Sequence, residues 1–229
     1  MLGALIVASR AARAQTMNSP NHAGPVQAAE ISPADRTPEG RWTYGAQIGF
    51  ALENNIPNNI SHIALLVAQP HVALTLFNFA SPRMPASRFA IVTEGILGNA
   101  VHPGGHLLGT SLLFRLDGRP THRAVPYFDW GAGFLHTTLA TRAPELSGNL
   151  QFIPQAGVGI QYFVRPRHAM VLEYRYLHMS NAGIREPNHG WNGSMLSVGY
   201  EWLVRPHLPR LNAFGASRTH ASLSPSSKP

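Results

Sequence analysis

A histidine and a serine stand two residues apart at 178 and 180, opening the stretch His178-Met179-Ser180-Asn181-Ala182-Gly183-Ile184-Arg185-Glu186-Pro187-Asn188-His189-Gly190-Trp191-Asn192. In an extended chain residues i and i+2 share one face, so the imidazole and the hydroxyl can come within hydrogen-bond reach. The imidazole would then take the hydroxyl proton as the oxygen attacks an acyl carbon. On spacing alone the pair is a weak signal, because His-x-Ser at a strand end is common. Metal chemistry has less support. The twelve histidines occur singly, at no ligand spacing, and there is no cysteine to supply a thiolate. No metal and no cofactor is expected.

The elements that carry this pair are strands. Met170, Leu172, Tyr174 and Tyr176 alternate with Val171, Glu173 and Arg175, and His178 and Ser180 continue the even, apolar face. Leu196, Val198, Tyr200 and Trp202 oppose Ser197, Gly199 and Glu201, and Asn192 continues their even face. The same period organises Trp42 to Phe50, Phe128 to Phe134 and Gln155 to Tyr162. Weaker alternation near 62–74, 87–98 and 107–116 brings the expected strands to eight. The one helix-like apolar stretch, 63–79, is interrupted by Gln69, Pro70 and His71, so a spanning helix is not expected.

Which face meets water decides the class. Charged residues are 13% of the chain, against about 25% in an ordinary soluble domain. The polar faces carry Gly, Gln, Thr and Ser, which suit a narrow polar lumen; the aromatic and aliphatic faces suit hydrocarbon with an interfacial girdle. The expectation is an all-β fold, an eight-stranded antiparallel transmembrane β-barrel of the bacterial outer membrane, over residues 42–203. A lipocalin-like soluble binder would need the aromatic faces turned inward. Residues 1–14, an apolar run ending in Ala12-Arg13-Ala14, read as a signal peptide, truncated because the basic start of such peptides is missing. Residues 15–41 read as a flexible linker and 204–229 as a disordered tail. The net charge of +7 is scattered without a Lys/Arg run, which argues against a nucleic-acid partner.

An even-stranded barrel with both termini in the periplasm has odd strands ascending. The strand ending at Ser180 would be the seventh, so 181–192 would be an external loop. His178, Ser180 and Asn192 would face lipid at the outer rim, where polar groups on an apolar face imply an interface or a function.

The stretch resembles the signature of the PagL family of lipid A 3-O-deacylases: Tyr-Arg-Tyr, then His-x-Ser-Asn-x-Gly, a Pro-Asn-x-Gly turn and a closing strand. Tyr174, Arg175, Tyr176, His178, Ser180, Asn181, Gly183, Pro187, Asn188 and Gly190 stand in matching places; outside this last hairpin only the strand pattern agrees. The resemblance implies an esterase that hydrolyses the 3-O-linked acyl chain of lipid A without a metal, with lipopolysaccharide and outer-membrane lipid as partners and a homodimer left open. It makes Ser180 the nucleophile, His178 the general base, and Asn181 with the backbone amide of Gly183 the oxyanion donors, while Asn188 and Gly190 shape the loop. One position departs. The family has Glu where this chain has Asn192; an amide can orient an imidazole but cannot stabilise its charge, and in serine proteases Asp to Asn lowers turnover by roughly 10⁴. Glu186, in the same loop, is an alternative acid.

The alternative reading is a non-catalytic small barrel with a structural or surface-interaction role. Trp191 and Trp202 read as interfacial anchors, His189 as a solvated loop residue, and Glu173, Arg175 and Glu201 as a lumen network.

Overall fold

The computed structural model describes residues 41–57, 59–79 and 86–204. The expected signal peptide lies outside them, as do the linker up to residue 40 and the tail from 205 onward. Eight strands run in chain order: β1 (Trp42–Glu53), β2 (Ala64–Asn78), β3 (Ala86–His102), β4 (Gly105–Gly118), β5 (Ala124–Thr137), β6 (Leu150–Arg165), β7 (His168–Met179) and β8 (Trp191–Val204). Each pairs antiparallel with the next, and β8 returns to β1 from Trp42↔Val204 to Glu53↔Gly193. The sheet closes, so among the described residues no edge strand is left unpaired. The three weakly patterned segments form β2, β3 and β4, each running further than its alternation suggests.

Burial follows the period-two reading. Ile48 is 61% exposed and Leu196 57%, whereas Gln47, Ser197 and Glu201 point inward and are buried. An apolar exterior around a polar interior is the inverse of a soluble barrel, and the inward-aromatic alternative is overturned. Outside, Tyr44 stacks on Trp202 at 6.1 Å, and Phe89, Phe114, Trp130 and Phe128 form a chain of ring contacts across β3 to β5.

The interior is a paired charge network. Arg115 donates twice to Asp129 at 2.9 Å and once to Glu201 at 2.7 Å; Glu201 also meets His71 at 3.0 Å. Arg175 reaches Glu94 at 2.7 Å and Glu173 at 2.6 Å, and Glu173 accepts from Gln47 and Tyr127. Buried charge is tolerated where it is paired and its remaining lone pairs are satisfied. Glu173, Arg175 and Glu201 are therefore lumen residues, as their parity requires. Glycine makes the space: a β-carbon at Gly159 would stand 2.3 Å from the Tyr127 ring.

Towards the end where β7 finishes, the interior turns apolar. Ile63, Leu65, Leu135, Leu139, Met179, Trp191 and Met195 belong to one buried cluster. Trp191 is wholly buried there, whereas Trp202 is 42% exposed. The interfacial role expected of Trp191 is thus corrected: residue 191 has the parity opposite to Asn192 and points inward. The loops that follow odd strands gather over this cluster. The Glu145 carboxylate accepts from the Ser61 backbone and hydroxyl, and the Glu145 carbonyl accepts from the Gly190 amide.

Candidate active site

The site is built by β7, β8 and three of these loops. His178 and Asn192 are direct partners in the β7–β8 register, and both side chains leave the barrel on its outer face. Cross-strand neighbours bring side chains within about 5 Å at Cβ, and here His178 Nδ1 lies 2.8 Å from Asn192 Oδ1. A carbonyl oxygen can only accept, so the imidazole carries its proton on Nδ1 and leaves Nε2 as the basic nitrogen. The same oxygen accepts from the Tyr176 hydroxyl at 2.7 Å.

The backbone of Asn192 is gripped from the β1–β2 loop. Its N–H donates to Asn59 Oδ1 at 3.1 Å, and its carbonyl accepts from Asn59 Nδ2 at 2.7 Å and from the Asn54 amide at 2.9 Å. One step further down the barrel, Ser194 joins the Tyr174 hydroxyl to Asn54 Oδ1, each contact 2.8 Å. A polar strip thus runs along the outer rim of β7 and β8.

Ser180 follows the last residue of β7 and is held by β6. Its N–H and carbonyl exchange hydrogen bonds with Phe152 at 3.0 and 2.7 Å. Like His178, it is half-buried on the outer face. Among the described residues, no hydrogen bond joins its hydroxyl to the imidazole. Gly190, at φ +73°, packs against the ring: a β-carbon there would stand 2.7 Å from His178 Cε1.

The loop after Ser180 is fastened by Asn181, which is 2% exposed. Its Nδ2 donates to the Arg185 carbonyl at 2.6 Å and to the Ser147 carbonyl and hydroxyl at 2.9 and 3.0 Å. Its Oδ1 accepts from the Gly183 amide at 3.0 Å. The two expected oxyanion donors are therefore bonded to each other in this conformation, and Asn181 serves as the loop's clasp. Asn188 lies in the same loop, its Oδ1 accepting from the Asn181 amide at 3.0 Å. Glu186 accepts from the Asn188 amide at 3.1 Å, within its own loop; it is not the partner of His178. Between this loop and the one after β5 lies a cavity of about 550 Å³ lined by Thr141, Ser147, Asn149, Ile184 and Arg185.

Sequence reasoning gives Asn192 as the residue that orients His178, and the structure brings the two together, but it gives Gly190 only a loop-shaping role and misses its packing against the His178 ring. It does not find Tyr176 as a partner of Asn192, although their shared outward parity is a usable signal. Nor does it find Asn54 and Asn59, which reach the site only because the barrel closes β8 onto β1.

A closed barrel with an apolar exterior, an ion-paired interior and a polar strip at one rim defines an integral outer-membrane β-barrel, and the bacterial outer membrane is its location. Residues 37–201 match the family model described as PagL, lipid A 3-O-deacylase. That match spans well over half of the chain, and the chain belongs to this family. Among solved structures, the outer-membrane enzyme PagL is 17% identical, covering 69% of this chain and 97% of its own at a TM-score of 0.47. Neisserial surface protein A is 13% identical over 70% and 96%, with a TM-score of 0.47. Ail, the attachment invasion locus protein of Yersinia pestis, is 11% identical over 73% and 100%, with a TM-score of 0.43. No curated protein sequence matches the chain.

Proposed function

We propose that the chain is an outer-membrane esterase that releases the 3-O-linked acyl chain of lipid A by a serine–histidine mechanism. The observation that carries this reading is the 2.8 Å contact between His178 Nδ1 and Asn192 Oδ1, which leaves Nε2 as the base on a lipid-facing surface two residues from Ser180. His178 Nε2 takes the Ser180 proton as Oγ bonds to the ester carbonyl carbon. The tetrahedral adduct collapses, and the sugar 3-oxygen leaves with the proton held by the imidazolium. Water then attacks the acyl-serine, gives its proton to His178, and frees the fatty acid and the serine. The substrate and partner are lipid A and the lipid around it, the sugar lying over the rim loops and the acyl chains along the barrel wall. No homodimer is part of this reading.

Asn181 and the Gly183 amide remain the proposed oxyanion donors. The Gly183 amide reaches the substrate only when its bond to Asn181 Oδ1 opens, and Asn181 Nδ2 only when its bonds to Ser147 and Arg185 open; a donor in that role contributes about 3–4 kcal/mol to the transition state.

Refolded protein incubated with lipopolysaccharide should remove one hydroxyacyl chain from lipid A, read by mass spectrometry, and Ser180→Ala should not. Asn192 favours a second reading, a barrel that keeps the scaffold without turnover. Activity that appears in Asn192→Glu and is absent from the parent would establish that reading.

A further inference from the structure

A carboxylate beside a catalytic histidine offers the ring an acceptor whichever oxygen faces it. An amide does not. If the Asn192 side chain turned over, its NH₂ would face His178 Nδ1, the ring proton would move to Nε2, and the nitrogen nearest the serine would become a donor. That state cannot take a proton from a hydroxyl. A chain with asparagine at 192 therefore needs something that keeps the carbonyl toward the ring.

Two groups, from different parts of the barrel, meet this need. The Tyr176 hydroxyl donates to Asn192 Oδ1 at 2.7 Å, the same oxygen that His178 Nδ1 approaches at 2.8 Å. A phenol is a better donor than acceptor, so this contact favours the carbonyl over the NH₂ at that place. Asn59 fixes the other end of the residue. Its amide bonds both the N–H and the carbonyl of Asn192, and its Nδ2 also reaches the Asn54 carbonyl at 2.7 Å, tying the clamp to its own loop. Neither Tyr176 nor Asn59 touches the reacting atoms of the proposed deacylation.

We infer that Tyr176 and Asn59 are positioning residues that hold the Asn192 carbonyl toward His178 and so set the imidazole tautomer from which Nε2 acts as base. The tautomer is a property of the barrel itself; only its effect on rate rests on the proposed esterase function. Tyr176 and Asn59 thus stand in for the geometric half of what an acid would do, and the missing half is charge.

The test is ¹⁵N NMR of His178 in the refolded, full-length barrel, at a pH where the ring is neutral, with folding checked by heat-modifiable gel mobility. The parent should show a protonated Nδ1 and an unprotonated Nε2. Tyr176→Phe, a replacement on the lipid-facing surface, should show a substantial Nε2–H population, and Asn59→Ala a smaller one with a broadened signal. In Asn192→Asp neither flank is the wrong one, so adding Tyr176→Phe should leave the tautomer on Nδ1–H. Identical His178 spectra in the parent and Tyr176→Phe overturn the inference, as does an equal tautomer shift in the Asn192→Asp background. Where deacylation is measured, Tyr176→Phe should lower kcat about tenfold or more with little change in KM. A barrel with the expected tautomer shifts but no deacylation refutes the esterase reading and leaves the positioning role standing.

Discussion

Gly190 lies so close to the His178 ring that a β-carbon on it would stand 2.7 Å from Cε1. The residue also sits at φ +73°, in the left-handed region that costs other residues about 1–2 kcal/mol. Gly190→Ala should therefore displace the imidazole from its place beside Asn192 Oδ1. A misplacement on the order of 1 Å can lower turnover by about 10². The barrel, whose strands do not depend on residue 190, should still show native gel mobility. Deacylation rate against folded fraction is the measurement; an unchanged rate would mean that the ring has room to move without consequence.

Asn192 supplies an acceptor without a charge. Asn192→Asp keeps the shape and adds the negative charge that stabilises an imidazolium in the transition state. The serine-protease comparison bounds the effect at roughly 10⁴, and a rise of about 10-fold or more in kcat is expected. Steady-state deacylation kinetics of the two proteins, each referred to its folded fraction, check this; an unchanged kcat would mean that charge at residue 192 does not reach the imidazole.

Much of this geometry is legible in the amino-acid sequence, for a physical reason. Strand period is local, so the outward set Trp42, Tyr44, Ile48 and Phe50 and the inward set Thr43, Gln47 and Gly49 can be sorted from neighbours alone, and the burial of β1 repeats that order. The same parity puts His178, Ser180 and Asn192 on one face. What is not legible depends on long-range register. Asn59 meets Asn192 across 133 residues of chain, and nothing in the β1–β2 loop's composition announces it. Trp191 fails differently: the affinity of tryptophan for interfaces points outward, its parity points inward, and parity wins. The hydrogen bonds of the 181–190 loop, which occupy both expected oxyanion donors, follow from loop conformation that no periodicity encodes.

Arg175 sits inside the Tyr-Arg-Tyr motif, yet it is wholly buried and faces the lumen between Glu94 and Glu173. Its contribution is to the scaffold. Arg175→Met leaves both carboxylates without their cation, and removing one partner of a buried pair destabilises by about 3–5 kcal/mol. Urea unfolding followed by gel mobility should show that loss. Arg175→Met combined with Glu94→Gln and Glu173→Gln should recover part of it. Activity per folded molecule should stay near the parent's, which would separate this residue from the site that flanks it.

Trp191 and Trp202 stand on the same strand with opposite parity, and the difference can be read directly in a bilayer. Trp191 is wholly buried and its indole N–H has no partner among the described residues; Trp202 stacks on Tyr44 and faces outward. Variants that retain only one of the two, with the other tryptophans replaced by phenylalanine, should respond differently to brominated lipids: Trp202 quenched, Trp191 not. Trp191→Ala should also open a void in the apolar layer beneath the site. That truncation costs about 3–5 kcal/mol in a packed core, and the loss should appear as a lower urea midpoint. Strong quenching of Trp191 would place it on the lipid side, reverse the parity of β8, and turn Asn192 into the lumen, away from any acyl chain.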